Sequence, residues 1–192
     1  MDSAFMNAVL KSTSFPPNDP FFAGKKLDFY YYFGHVISAC ITLLSFSPPE
    51  VGYNIAISAL PAYTALMIYN ILKHKGRDEK VAIAGITLAI FSGNIFSFID
   101  FFNRIFSGKP IDGSYYWNAT RVISNTINEF PYFSFIHADL HAHVAAIPIV
   151  VLIVSLLSRV HEEKSKPILI ALSLSLFAVF ATNSWNYPLT IT

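Results

Sequence analysis

Apolar residues run along this chain in long blocks, with the polar residues collected between them. Three blocks approach the roughly 20 apolar residues needed to cross a bilayer: residues 53–72, 81–102 and 143–158. A fourth, 167–185, is rich in Leu, Ile, Ala and Ser and ends at "TNSWNYP". In hydrocarbon such blocks must be helices, because their backbone groups find no water to bond. Pro61 and Pro148 fall inside blocks, where proline kinks a helix and frees a carbonyl. Residues 30–47 read differently. Their polar members Tyr31, His35, Ser38, Thr42 and Ser45 recur at steps of four, three, four and three, one face of a helix. The block is at the short end for a span, and with the breaker "SPPEVGYN" it favours an amphipathic juxtamembrane or re-entrant helix. The pattern predicts an all-α polytopic membrane protein. It has about four transmembrane helices, one amphipathic helix, an outer N-terminal loop with a short helix (1–29) and a long outer loop (103–142).

Composition strengthens the membrane reading. The chain is 54% hydrophobic and 13% charged, against about a quarter charged in soluble domains, and its mean hydropathy is +0.48. A net charge of +1 gives no reason to expect nucleic-acid binding. The lone Cys40 excludes a disulfide framework and a thiolate metal cluster. No signal peptide is legible at the start, so targeting falls to the internal spans of a multi-pass cell-membrane protein. Lys73, Lys75, Arg77 and Lys80 in one short loop, and Arg159, Lys164 and Lys166 in another, place both loops on the cytoplasmic side. The segment 102–143 then lies outside. If residues 30–47 do not cross, the N-terminal segment shares that outer face.

Candidate chemistry clusters at the lip of the third block. His137, Asp139, His141 and His143 offer imidazole and carboxylate ligands suited to a divalent metal such as zinc, manganese or iron. On one helix, His137 and His141 share a face while Asp139 and His143 take nearly the opposite one; in an extended segment all four align. The plain alternative is a polar cap on the span. Asp2 and Asp19 are candidate general bases in the N-terminal loop, although Asp2 would also serve as a helix cap for "DSAFMNAVL". In the long loop Arg121 is placed to grip a phosphate or to pair with Glu129. Asp100, at the end of an apolar block, is functional by default, and Asn118 begins a glycosylation sequon.

Several motifs occur in order along nearly the whole chain: "MDSAFMNAVLKSTSFPPNDPFFAG", "DFYYYFGH" (28–35), "PPEVGYN" (48–54), "TRVISNTINEFPYFSF" (120–135), "ADLHAH" (138–143) and "ATNSWNYP" (181–188). Together they resemble the YYY membrane protein family, a conserved domain of unknown function. That family usually reads "ADLHPH", so Ala142 stands here in place of a proline. Its proteins are longer, which makes this chain look like a fragment lacking helices of the full-length protein. The family is in turn similar to the GT-C glycosyltransferases, membrane enzymes that take sugars from polyprenyl-phosphate carriers. The resemblance implies a GT-C-like partial bundle in which Asp2 holds the position of the acid in the first outer loop, with Asp19 as second choice. It also implies substrate contacts from Tyr31, His35, Arg121, Glu129 and Trp185. Two other functions remain open: a non-enzymatic transporter or assembly protein, and a metal-dependent membrane hydrolase.

Overall fold

A computed structural model describes residues 1–28, 31–163 and 165–191; Tyr30, the expected start of the amphipathic helix, and Lys164 lie outside the described residues. The described chain is all-helical, with one isolated bridge between Asn18 and Lys26. The helices are α1 (Asp2–Lys11), α2 (Phe33–Leu44), α3 (Pro49–His74), α4 (Glu79–Phe91), α5 (Ile95–Ser107), α6 (Gly113–Asn118), α7 (Pro131–His137), α8 (Ala142–Glu163), α9 (Lys166–Thr182) and α10 (Tyr187–Ile191).

Local signals set the ends. Pro49 opens α3 at a first-turn position where its missing N–H costs nothing. Asp78 caps α4 by accepting from the Val81 amide at 2.8 Å. With 26 residues α3 is about 39 Å long, enough for a hydrocarbon core of about 30 Å. By length and composition α3 and residues 142–160 of α8 can cross a membrane.

The block 81–102, expected as one span, is divided. Ser92 and Asn94 adopt extended backbone on either side of Gly93, and Asn94 recaps the chain through the Ser97 amide. The two halves, α4 and α5, are bent by 68° and form a third span only if counted together. The block 167–185 also shortens. It is the 17-residue α9, ending at Thr182 because Asn183 is extended and a 3-10 turn, Ser184–Asn186, follows.

Direction follows from the contacts. α3 and α8 run parallel, for their last turns meet: Glu162 takes His74 Nε2 at 2.7 Å and Lys75 Nζ at 2.5 Å. At the opposite end lie the loop before α8 and the chain's first helix. Met6 and Val9 of α1 pack with Ala39 of α2, Ala56 and Leu60 of α3, and Leu140 and Val144 beside and within α8. Burying one such side chain stabilises by about 1.5–3 kcal/mol, so this cluster fixes α1 against three other elements.

α2 inverts the expected amphipathic arrangement. His35, Ser38 and Thr42 are buried, while Cys40, Leu43 and Leu44 are exposed. Inward polarity is tolerable because each group is bonded. Ser38 and Thr42 hydroxyls donate to carbonyls four residues back, at 3.0 and 2.9 Å, and His35 meets Asp2. At 12 residues, about 18 Å, the helix is too short to cross.

α2 approaches α3 closely. A Cβ added at Gly52 would stand 2.2 Å from the Thr42 methyl and 2.6 Å from its Cβ, which a rotamer change cannot relieve. Gly52→Ala is therefore expected to destabilise by about 1–3 kcal/mol, as overpacking does. Denaturant unfolding of the purified protein checks it.

Candidate functional site

The carboxylate of Asp2 is the centre of the site. Its residue is in the first turn of α1, whose buried face carries Asp2, Phe5, Met6 and Val9. It does not cap that helix: no side-chain cap bond forms there, and Met1 is the N-cap residue. The packing of Met6 and Val9 instead turns the carboxylate inward, where it is 3% exposed. Its Oδ1 stands 3.2 Å from His35 Nε2, and its Oδ2 stands 3.1 Å from His141 Nδ1. Phe5 covers His35 edge-on at 5.6 Å between centroids.

The loop between α7 and α8 brings the other two groups. Ala138 ends α7 in the left-handed region at φ 59°, turning the chain back. Leu140, 1% exposed, anchors the turn in the core. The His141 carbonyl accepts from Val144 and Ala145, both at 3.0 Å, and so starts α8. Ala142 is thus the first helical residue, a position where alanine and proline are both accommodated. Between these fixed points Asp139 Oδ2 comes to 2.9 Å from His141 Nδ1.

Electrostatics separate the two acids. Burial raises the Asp2 carboxyl, but the hydrogen bonds from His35 and Asp139 and the nearby His141 outweigh it and hold it well below the ordinary carboxylate range. Asp139 moves up: burial, the hydrogen bond to Asp2 and the Asp2 charge together exceed the help from His141. His35 Nε2 and His141 Nδ1 both face Asp2, and each donates to it in the tautomer that carries its proton on that nitrogen.

A pH consequence follows. The raised carboxyl of Asp139 contributes stability that is full below the ordinary carboxylate range and is lost as pH rises through its higher value. Asp139→Asn, always neutral, is expected to flatten stability across that acidic window without lowering it at pH 7. Urea unfolding at a series of pH values measures this.

The four ligand-type residues of "HADLHAH" divide, because α7 ends at His137 and α8 begins at Ala142. Asp139 and His141 join Asp2. His143 Nε2 reaches Glu129 at 3.0 Å, and Ser134 donates to the same carboxylate at 3.1 Å. The His141 and His143 rings meet edge to face at 5.9 Å, so the two clusters adjoin. His137 turns away to the Tyr116 hydroxyl at 3.1 Å and stacks on Phe133. Asp2, Asp139 and His141 each offer one ligand atom, all within 4.8 Å of one another. Two carboxylate oxygens and an imidazole are a donor set that suits a hard or borderline divalent cation.

The remaining candidates lie elsewhere. Asp19 accepts from the Phe21 amide at 2.8 Å through Oδ1, in a turn of its own. Arg121 does not pair with Glu129. Its guanidinium bonds Thr120 and lies 5.7 Å over the Trp117 ring. Tyr31 accepts from Ser184 at 2.7 Å, and Trp185 is largely exposed. Asn118 is exposed. Asp100 takes Arg104 at 2.8 Å. Arg104, overlooked in the sequence, is buried and also bonds Pro110, Asp112 and Ser114. The four-residue spacing of Asp100 and Arg104 was its only signal. Tyr116, the partner of His137, had none.

Among the described residues, an all-helical fold with two or three helices fit for a bilayer, and an acid–imidazole cluster centred on a buried carboxylate at one end, defines an integral membrane protein with a built polar site. The chain belongs to the uncharacterized membrane protein family DUF2298, which matches residues 1–192. No curated protein and no solved structure matches it.

Proposed function

We propose that the protein is a multi-pass membrane enzyme of glycosyltransferase type, acting at the outer face on a sugar carried by a polyprenyl phosphate. The observation that carries this reading is the buried Asp2 carboxylate held between two imidazoles, one of which opens outward. The motif resemblance to the YYY family and, through it, to GT-C enzymes supplies the reaction class.

The geometry divides the labour. Both oxygens of Asp2 are engaged and its side chain is 3% exposed, so it orients rather than touches an acceptor. His141, with its side chain 39% exposed, is the reaching group. Its Nδ1–H points at two carboxylates, which fixes the tautomer and leaves Nε2 as the basic edge. In the proposed step the acceptor hydroxyl oxygen bonds to the anomeric carbon. The bond from that carbon to the phosphate oxygen breaks, and the phosphate leaves with the electron pair on its lipid. The acceptor proton passes to His141 Nε2. Arg121, exposed above Trp117 and outside the Asp2 cluster, is the cation assigned in this reading to meet the departing phosphate. A divalent cation held by Asp2, Asp139 and His141 would instead polarise a phosphate oxygen, with His141 then a ligand and no longer the base.

The test is hexose transfer from a polyprenyl-phosphate hexose by the protein in vesicles. Wild type is expected to transfer, and Asp2→Asn to lose most of the rate. Equal rates in both would remove the cluster from the chemistry. The same three donors favour a second reading, a metal-dependent hydrolase. It requires stoichiometric metal in the purified protein and hydrolysis lost to a chelator without any lipid-linked donor.

A further inference from the structure

α5 is built inside out. Ile95, Phe98, Ile99, Phe102 and Phe106 fall within an arc of about 100° of its surface, and all five are exposed, Phe106 at 83%. Three of them form a ridge of rings. Phe98 meets Phe102 edge-on at 4.9 Å between centroids, and Phe102 stacks on Phe106 at 6.3 Å. The opposite face carries Ser97, Asp100 and Arg104 and is turned toward protein. Arg104 is buried, with Nε bonded to Asp100 at 2.8 Å. Its terminal nitrogens donate to the Pro110 carbonyl at 2.8 Å and the Ser114 hydroxyl at 3.0 Å. Among the described residues α5 packs chiefly on α6, at this polar face.

In water the arrangement would be backwards, with an ion pair tucked in and large apolar side chains out. An exposed stripe of this size marks either a protein partner or a membrane. Three observations select hydrocarbon. The first is continuity: α4, which leads into α5, is likewise exposed at Val81, Ile83, Leu88 and Phe91. The second is height. α4 starts beside the end of α3, where the Tyr69 hydroxyl donates to Glu79 at 3.1 Å, and ends at α7, with Phe91 6.0 Å from Tyr132. Its 13 residues rise about 20 Å. After the 68° bend, the 13 residues of α5 climb only about 7 Å more in that direction. Against a hydrocarbon core of about 30 Å, α5 lies near the bilayer plane, just inside the leaflet on the Asp2 side. The third is polarity. The ridge holds no hydrogen-bonding side chain of the kind that fixes a protein interface. Arg104 and Lys109 balance Asp100 and Asp112, so no positive excess is left to select anionic headgroups.

We propose that α5 is an in-plane membrane anchor, with its ridge seated in the acyl chains beneath the headgroups and its polar face holding α6 at the surface. Its partner is bilayer hydrocarbon, whatever the headgroup charge. The block 81–102 then enters the bilayer as α4 and runs out sideways as α5, not as one straight span. This assignment is independent of the sugar-transfer reading.

Spin labels test it. The full chain, with Cys40→Ser as background, takes Ile99→Cys, Phe102→Cys or Phe106→Cys on the ridge and Ser107→Cys on the polar side. Each labelled protein is placed in phosphatidylcholine nanodiscs. Oxygen, which partitions into hydrocarbon, and a nickel chelate, which stays in water, are compared as relaxing agents. The ridge labels are expected to favour oxygen, at about 5–10 Å below the headgroup boundary, and the label at 107 to favour nickel. From 99 to 106 the depth is expected to change by about 4 Å, against about 10 Å for a helix continuing straight across. Replacing half the lipid with phosphatidylglycerol is expected to leave these depths unchanged. Three ridge positions keep the test open if one substitution fails to fold. Ridge labels that favour nickel, or that are shielded from both agents by protein, would overturn the assignment. So would a depth change of about 10 Å along the ridge, or depths that shift with phosphatidylglycerol.

Discussion

His141→Ala is expected to slow hexose transfer by about 10²- to 10⁴-fold, the usual contribution of a positioned general base. That corresponds to about 3–5 kcal/mol of barrier. The fold should survive, because the imidazole is 39% exposed and the His141 carbonyl that starts α8 belongs to the backbone. His141→Gln is the sharper variant. It retains a donor toward Asp2 and Asp139 but has no basic nitrogen, so it should bind donor lipid normally while losing turnover. The measurement is kcat and KM for transfer in vesicles, with unfolding followed on the same preparations. A loss confined to KM would reassign His141 from proton transfer to binding.

Asp2→Ala is expected to cost stability instead, by about 3–5 kcal/mol, the range for removing one partner of a buried charged pair. The side chains of Asp2 and His35 are 3% and 1% exposed, so water cannot replace the lost carboxylate. Asp2→Asn keeps the volume but sets an amide N–H₂ against an imidazole donor, leaving one buried group unsatisfied at about 1–3 kcal/mol. His35→Ala removes the same contact from the other side. The double variant Asp2→Ala/His35→Ala should therefore cost clearly less than the sum of the single ones. Additive losses in unfolding experiments would show that the two side chains do not act as a pair.

The arrangement that makes both effects large was partly visible along the chain. Asp2, His35 and His141 stand out as polar residues beside apolar blocks, each plausible as a functional group. Their partnership was not visible, because 33 residues separate Asp2 from His35 and 139 separate it from His141. The plain reading of Asp2 as a helix cap is excluded only by the packing of Met6 and Val9, which rotates that face of α1 inward. Asp19 looks equivalent in sequence, yet its Oδ1 accepts from the Phe21 amide in a turn of its own, with no imidazole bonded to it among the described residues. The ligand-like spacing of "HADLHAH" also misleads when taken as one helix or one strand. A left-handed Ala138 and the buried Leu140 break it into three directions.

Hydrophobic blocks, low charge and proline placement determined by themselves that this is an all-helical membrane protein, because local hydropathy and backbone satisfaction are properties of short windows. The tertiary structure decided the rest. It bent the block 81–102 by 68° at Gly93, where Ser92, Gly93 and Asn94 are a break too short to show by themselves whether the apolar block continues straight. It turned the polar stripe of α2 toward protein, because bonding to Asp2 and to carbonyls one turn back satisfies those groups without water. It also placed the N-terminal helix and the loop before α8 at the same end of the bundle, by a 3.1 Å contact that no window of sequence contains. Spacing along a chain reports which face a residue takes on its own helix. Which faces meet depends on how distant elements share a core.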